Sequence, residues 1–265
     1  MPTTSANGTN INYTDTGGSG TAVMLLHAFP FDSSMWEPQL ESLSERFRFV
    51  APDLKGFGGS DAPEARASYS MDGYADDVKA VVDELGLDRF VLAGLSMGGY
   101  IALAYMRRYA DEVAGLVLAD TRAEGDPPEG KEKRSNQQNL VSEEGTSGLI
   151  ETLTGALLAE ETRTNKPDVV KKAQSAMDNP PAGFIGALEA MKNRIDSTDS
   201  LAKIAVPTLV IVGESDAVTP PEAARNLHEH IGGSELVVIP GAGHISNMEA
   251  PEAFNGALGE FLNKL

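Results

Sequence analysis

A chain of 265 residues with 39 acidic and 21 basic side chains, 41% hydrophobic residues and no cysteine excludes several classes of protein before any pattern is read. Without cysteine there are no disulfides, no thiolate zinc or iron–sulfur sites and no cysteine nucleophile. A formal charge of −18 repels phosphate backbones and anionic lipid, so neither a nucleic-acid nor a membrane partner is expected. In chain order, Asn7-Gly8 ahead of Ile11-Asn12-Tyr13 predicts a tight hairpin turn. Ala22-Val23-Met24-Leu25-Leu26 is a continuous apolar run, the pattern of a strand buried on both faces of a parallel sheet. Phe47 to Leu54, Arg89 to Leu95, Gly115 to Asp120, Thr208 to Val212 and Glu235 to Ile239 repeat it. Between these runs lie helical periods: Tyr74, Val78, Val81, Val82 and Leu85 form one apolar stripe, closed by Gly86, and Ile101, Ala104 and Tyr105 form another. Strand then helix, repeated, predicts an α/β fold, a mostly parallel central sheet flanked by helices on both faces.

The rhythm breaks between about Arg122 and Ser200, where no buried-strand run occurs. Gly125-Asp126-Pro127-Pro128 marks the entry and Asn179-Pro180-Pro181 a midpoint. The economical division is a core of residues 1–121 and 201–265 carrying a helical insertion at 122–200, placed over one edge of the sheet. A separately folding unit is the alternative. Lys131-Glu132-Lys133-Arg134 reads as a solvated helix face. The start, Met1-Pro2-Thr3-Thr4-Ser5, has neither a basic nor an apolar signal segment, and no apolar run approaches the roughly 20 residues that span a bilayer. The expected location is cytoplasmic.

Gly94-Leu95-Ser96-Met97-Gly98-Gly99 follows the buried run Phe90-Val91-Leu92-Ala93 and opens a helix near Gly99. G-x-S-x-G in that strand–turn–helix setting predicts a nucleophile elbow, with glycines relieving a crowded turn and the Ser96 hydroxyl lifted above the sheet. The Met97 backbone N–H then stands at a helix N-terminus, aimed at a developing oxyanion. A Gly-rich turn with an incidental serine is the plainer reading of the same letters. Serine needs a base, and the chain has four histidines. His244, in Gly241-Ala242-Gly243-His244, follows the last strand on a mobile, Gly-flanked loop that leaves its imidazole free to turn. His228 and His230 fall two apart in a helix, do not share a face, and read as surface residues. The acid that orients the base is Asp216, in the loop after the Thr208 strand, or Asp120, which also ends a strand. The loop after the third strand, His27-Ala28-Phe29-Pro30-Phe31, supplies a second oxyanion donor in the Phe29 N–H, with His27 as a scaffold residue. Trp36, the single tryptophan, walls the pocket or anchors the following helix.

Taken together, His27-Ala28-Phe29-Pro30, Asp53 to Asp61, Gly94 to Gly99, Asp216 and His244 resemble the α/β-hydrolase superfamily over nearly the whole chain. Within it, the chain looks like the group holding small carboxylesterases, 3-oxoadipate enol-lactonases and cofactor-free haloperoxidases. Ala28 departs from the usual glycine of the His-Gly pair, and Lys55 from the frequent arginine. A serine at the elbow argues against haloalkane dehalogenases and epoxide hydrolases, which use aspartate. The resemblance implies a Ser96-Asp216-His244 triad acting on carboxylic esters through an acyl-enzyme, and a helical cap over the site. Apolar cap residues Leu149, Ile150, Leu153, Phe184, Ile185 and Leu188 would line the acyl pocket together with Trp36, or pack the cap onto the core. No cofactor is expected, and no metal, since His228-Glu229-His230 lacks ligand spacing. The expected partner is a small ester or lactone of short or medium acyl or aryl type, and a homo-oligomer is compatible with the sequence. A lactone carrying a carboxylate would call on Arg122, Arg134 or Arg194. Perhydrolysis, ligand binding without catalysis, carbon–carbon bond hydrolysis and hydroxynitrile lysis are the further alternatives.

Overall fold

The computed structural model describes residues 2–265. Strands β1 (Thr3–Ala6) and β2 (Thr9–Asp15) form the expected hairpin. Asn7 and Gly8 at its tip take φ of 50° and 80°, the consecutive left-handed pair favoured in a two-residue hairpin turn. β3 (Ala22–Leu26), α1 (Glu37–Leu43), β4 (Arg48–Pro52), α2 (Met71–Glu84), β5 (Phe90–Leu95), α3 (Met97–Tyr109) and β6 (Val113–Ala119) then alternate. Five helices intervene before the sheet resumes: α4 (Pro128–Glu144), α5 (Ser147–Leu157), α6 (Glu160–Asn165), α7 (Pro167–Ala176) and α8 (Pro181–Lys192). β7 (Thr208–Gly213), α9 (Pro221–His230), β8 (Glu235–Ile239), α10 (Ser246–Glu249) and α11 (Pro251–Leu262) complete the chain.

The eight strands form one sheet in the order β1-β2-β4-β3-β5-β6-β7-β8, with β1 and β2 antiparallel and the rest parallel. Each central strand divides its side chains between two cores, as a period of two requires. Met24, Leu26, Leu92, Leu116, Leu118, Val210 and Val212 enter the layer under α2, α3 and α9. Val23, Leu25, Val91, Ala93, Val117, Leu209 and Ile211 enter the opposite layer with Trp36, Leu43, Phe254 and Leu258. The uninterrupted apolar runs are therefore the signature of strands that are covered on both faces. β8 differs from the expectation of a fully buried strand. It pairs only with β7, and Val238 is 39% exposed. No helix among the described residues is long and apolar enough to cross a membrane.

Strand order reverses at β3, whose parallel neighbours are β4 on one side and β5 on the other. In open α/β sheets the crevice beyond the carboxyl ends at such a reversal is where ligands bind. The loops after β3, β5, β7 and β8 all emerge on this side.

Candidate active site

Ser96 sits between β5 and α3 with φ 54° and ψ −111°, a positive φ that a residue with a Cβ rarely adopts. Its N–H donates to Ala119 O at 2.9 Å, which fixes the turn to β6. The turn is tight enough to need glycine on both sides. A Cβ on Gly94 would lie 2.2 Å from Gly98 O, and one on Gly98 would lie 2.1 Å from Leu26 O. Among the described residues, no acceptor takes the N–H of Met97 at the start of α3 or the N–H of Phe29 after β3. A buried amide without a partner is costly, so two of them beside one serine could receive an anion. His27 is committed elsewhere: Nδ1 donates to Ala28 O at 2.9 Å and Nε2 accepts from Leu54 N–H at 2.9 Å. Burial pushes its pKa down, in keeping with that neutral tautomer.

His244 Nε2 lies 2.8 Å from Ser96 Oγ, and His244 Nδ1 lies 2.8 Å from Asp216 Oδ2. The structure thus brings together three side chains that are remote in sequence. Asp216 is further held by Val218 N–H and Thr219 N–H on Oδ1, at 2.8 and 2.9 Å, and by the Thr219 hydroxyl on Oδ2 at 2.7 Å. Burial opposes its charge, but His244 and these donors outweigh burial and hold the carboxyl below the usual range. For His244, burial favours the neutral ring, yet the Asp216 charge and hydrogen bond together with Asp120 raise its pKa above the usual value. The His244 loop is pinned, contrary to the mobile loop expected: the residue is 1% exposed and its N–H donates to Leu157 O at 2.9 Å.

Asp120 does not contact the imidazole. Its Oδ1 accepts from Gly213 N–H at 2.8 Å and its Oδ2 from the Ser246 hydroxyl at 2.5 Å, so it ties the ends of β6 and β7 to the histidine loop. Burial and the nearby Asp216 charge push its pKa up to about 8. Glu249 is equally buried beside the same loop. Thr219, Ser246 and Glu249 went unnoticed in the sequence. Only Thr219 carried a signal, a hydroxyl three residues after an aspartate that can close a local turn.

A cavity of about 710 Å³ opens above Ser96 and His244 and is roofed by residues of α4, α5, α6 and α8. Of the seven side chains expected at its wall, Leu153 lines it. The other six lie elsewhere, Ile150 and Ile185 packed against the core. Trp36 is 1% exposed in the opposite core layer, its ring 6.1 Å from that of Phe254. Phe184 packs edge-on to Phe29 at 5.4 Å, one layer behind the surface, and Leu188 is fully buried in the same cluster. Leu149 faces a separate groove between α4 and α5. The apolar wall is instead Phe29, Tyr100, Leu157, Leu158, Met191 and Val218. Two of the three candidate arginines are occupied by one partner: Asp126 pairs with Arg134 at 3.1 Å and with Arg194 at 2.8 Å, and Arg194 also stacks on Tyr100. Arg122 lines the cavity, donates to Val218 O through its terminal nitrogen, and keeps a buried Nε with no acceptor among the described residues. His228 and His230 are exposed on α9.

This sheet order, with a serine elbow after β5, defines an α/β hydrolase. A family model for the alpha/beta hydrolase fold matches residues 21–251, and the chain belongs to that family. It is similar to a thermophilic esterase from Thermogutta terrifontis, solved with malate bound, at 40% identity and a TM-score of 0.94, covering 99% of this chain and 98% of that one. The enol-lactonase of Burkholderia xenovorans LB400 aligns at 30% identity and a TM-score of 0.92, over 99% of this chain and 100% of its own. A bifunctional esterase/perhydrolase of Acinetobacter calcoaceticus is 30% identical over 98% of each chain.

Proposed function

We propose that the protein is a carboxylic ester hydrolase that works through an acyl-Ser96 intermediate. The observation that carries this reading is the unbroken hydrogen-bond chain from Ser96 Oγ through both nitrogens of His244 to Asp216. His244 Nε2 takes the hydroxyl proton as Ser96 attacks the ester carbon. The free N–H groups of Phe29 and Met97 receive the oxyanion, each contributing about 3 kcal/mol in the transition state. The imidazolium, stabilised by Asp216, returns its proton to the leaving alcohol, and water activated by the same ring releases the acid. The helices between β6 and β7 act as a cap, and a cavity of about 710 Å³ suits a short or medium acyl chain or an aryl ester.

The test is a kinetic panel of p-nitrophenyl acetate, butyrate and octanoate beside a muconolactone-type enol-lactone, run on the wild type and on Ser96→Ala. Fast turnover of the simple esters that disappears in the variant is expected. Ester hydrolysis surviving in Ser96→Ala would overturn the mechanism.

A second reading, hydrolysis of a lactone or ester that bears a carboxylate, is favoured by one observation. Arg122 is the arginine of the cavity wall whose buried Nε has no acceptor, whereas Arg134 and Arg194 are paired with Asp126. If it holds, Arg122→Met weakens turnover of carboxylate-bearing substrates and leaves neutral esters unaffected. Equal loss on both sets would remove it.

A further inference from the structure

We propose that Glu249 is a positioning residue for the reaction: its buried carboxylate clamps the His244 loop to the turn between α5 and α6, so the placement of the base is set partly by the helices that roof the cavity. The proposal rests on the reading of His244 as the base.

Glu249 is 1% exposed, burial pushes its pKa up, and among the described residues no cation pairs with its carboxylate. Backbone amides satisfy it instead. Oε1 accepts from Gly243 N–H at 3.0 Å and from Ile245 N–H at 3.4 Å, the residues on either side of His244. Oε2 accepts from Ala159 N–H at 2.8 Å, in the turn that ends α5. The Thr162 hydroxyl of α6 also favours the charged carboxyl. One anion therefore grips the histidine loop from both sides with one oxygen and the roof with the other.

The surroundings reinforce the clamp. His244 N–H donates to Leu157 O at 2.9 Å, in the same turn, and Lys166 Nζ donates to the Glu249 carbonyl at 2.8 Å. The two segments touch so closely that a Cβ on Gly243 would fall 2.6 Å from Ala159 N. Only an acceptor suits this position. A glutamine side chain there would turn an NH2 group toward amide hydrogens on one side, leaving donor facing donor. The carboxylate thus serves geometry that a neutral isostere would disturb, although it does not touch the serine. A base displaced by a fraction of an ångström loses proton-transfer efficiency in the transition state while ground-state binding in the cavity is little changed.

The experiment measures kcat and KM for p-nitrophenyl butyrate, with folding followed by circular dichroism, on Glu249→Gln, Glu249→Asp and Ser96→Ala. Glu249→Gln is expected to lose at least about tenfold in kcat with KM within about threefold, while folded at the assay temperature. Glu249→Asp, which keeps the charge but is one methylene too short to reach the Gly243 and Ala159 amides together, is expected to lose a smaller factor in kcat, again without a matching rise in KM. The downfield proton resonance of the His244–Asp216 bond should shift in both. A folded Glu249→Gln protein with wild-type kcat and an unmoved resonance would overturn the proposal. So would a kcat loss that merely tracks the unfolded fraction. Should Glu249→Gln not fold, Glu249→Asp decides: wild-type kcat and resonance there overturn the proposal. Activity persisting in Ser96→Ala would instead refute the underlying mechanism, so the two failures are distinguishable.

Discussion

Replacing Asp216 with asparagine should abolish most turnover by reversing the tautomer of His244. Oδ1 of Asp216 receives two backbone N–H groups, from Val218 at 2.8 Å and Thr219 at 2.9 Å. Those donors dictate where the amide oxygen of the introduced asparagine must sit, since turning its NH2 toward them would leave buried donors unpaired at about 1–3 kcal/mol each. The NH2 group is then directed at His244 Nδ1, which the carboxylate contacted at 2.8 Å. The ring must accept there and so carries its proton on Nε2, opposite Ser96 Oγ at 2.8 Å. In that state it cannot take the serine proton. The loss of kcat when such an acid becomes an amide is about 10,000-fold, or about 5.5 kcal/mol of transition-state stabilisation. KM should stay within a factor of a few, because nothing in the cavity wall changes. Steady-state turnover of p-nitrophenyl butyrate, with active-site titration to count folded molecules, reads the effect. A kcat within about tenfold of wild type would refute the tautomer argument.

Three further outcomes follow from buried charges. If His244 is the base it acts in its neutral form, and since Asp216 raises its pKa, kcat/KM should fall as pH drops through that raised value; in Asp216→Asn, burial is left as the main influence and the acid limb should move to lower pH. The folded pKa of Asp120 is raised from 3.8 to about 8, so this group's contribution to stability is greatest below the unfolded value and is lost as pH rises toward about 8. Asp120→Asn cannot ionise, so its Tm relative to wild type should climb between those limits and level off above; a pH-independent difference would contradict this. Lys55 and Asp77 form a buried pair at 2.9 Å, and Lys55→Met leaves the carboxylate without its cation. Urea unfolding should register a loss of about 3 kcal/mol, the low end for such breaks, since burial already raises the Asp77 pKa and eases its protonation. No change in the midpoint would mean that the pair is energetically idle.

What the sequence made legible was information held in contiguous residues. The apolar runs of β3, β5, β6 and β7 announce themselves because both faces of each strand are covered. β8 read the same way but is an edge, and no local pattern tells whether a second neighbour will pair. The serine elbow was legible because strand, glycines and helix adjoin within a few residues. The pocket wall was not. Trp36 turns toward Phe254, a partner from the far end of the chain, and the faces of α8 are assigned by Phe29 rather than by its own periodicity. Glu249 resembled any acid near a helix start until the roof was seen to pass over it.

The helices between β6 and β7 leave the sheet and return to it at adjacent strands, with Leu116 paired to Thr208. Where the segment leaves and re-enters, Ser197 N–H donates to Ala123 O at 2.9 Å, so the two ends of the excursion meet. To the sheet, the whole excursion is a single closed loop, and closing a loop costs only about 0.6 kcal/mol more for each doubling of its length. Such a segment can be lengthened, shortened or exchanged with little strain on the strands beneath. It is a graftable module, and new substrate ranges can be sought by transplanting it whole. The graft has one joint to respect. A replacement must offer, where residues 157–162 now pass over Gly243, the same carbonyl for the histidine amide and the same donors for the buried glutamate, or the transplanted roof will arrive without a working base beneath it.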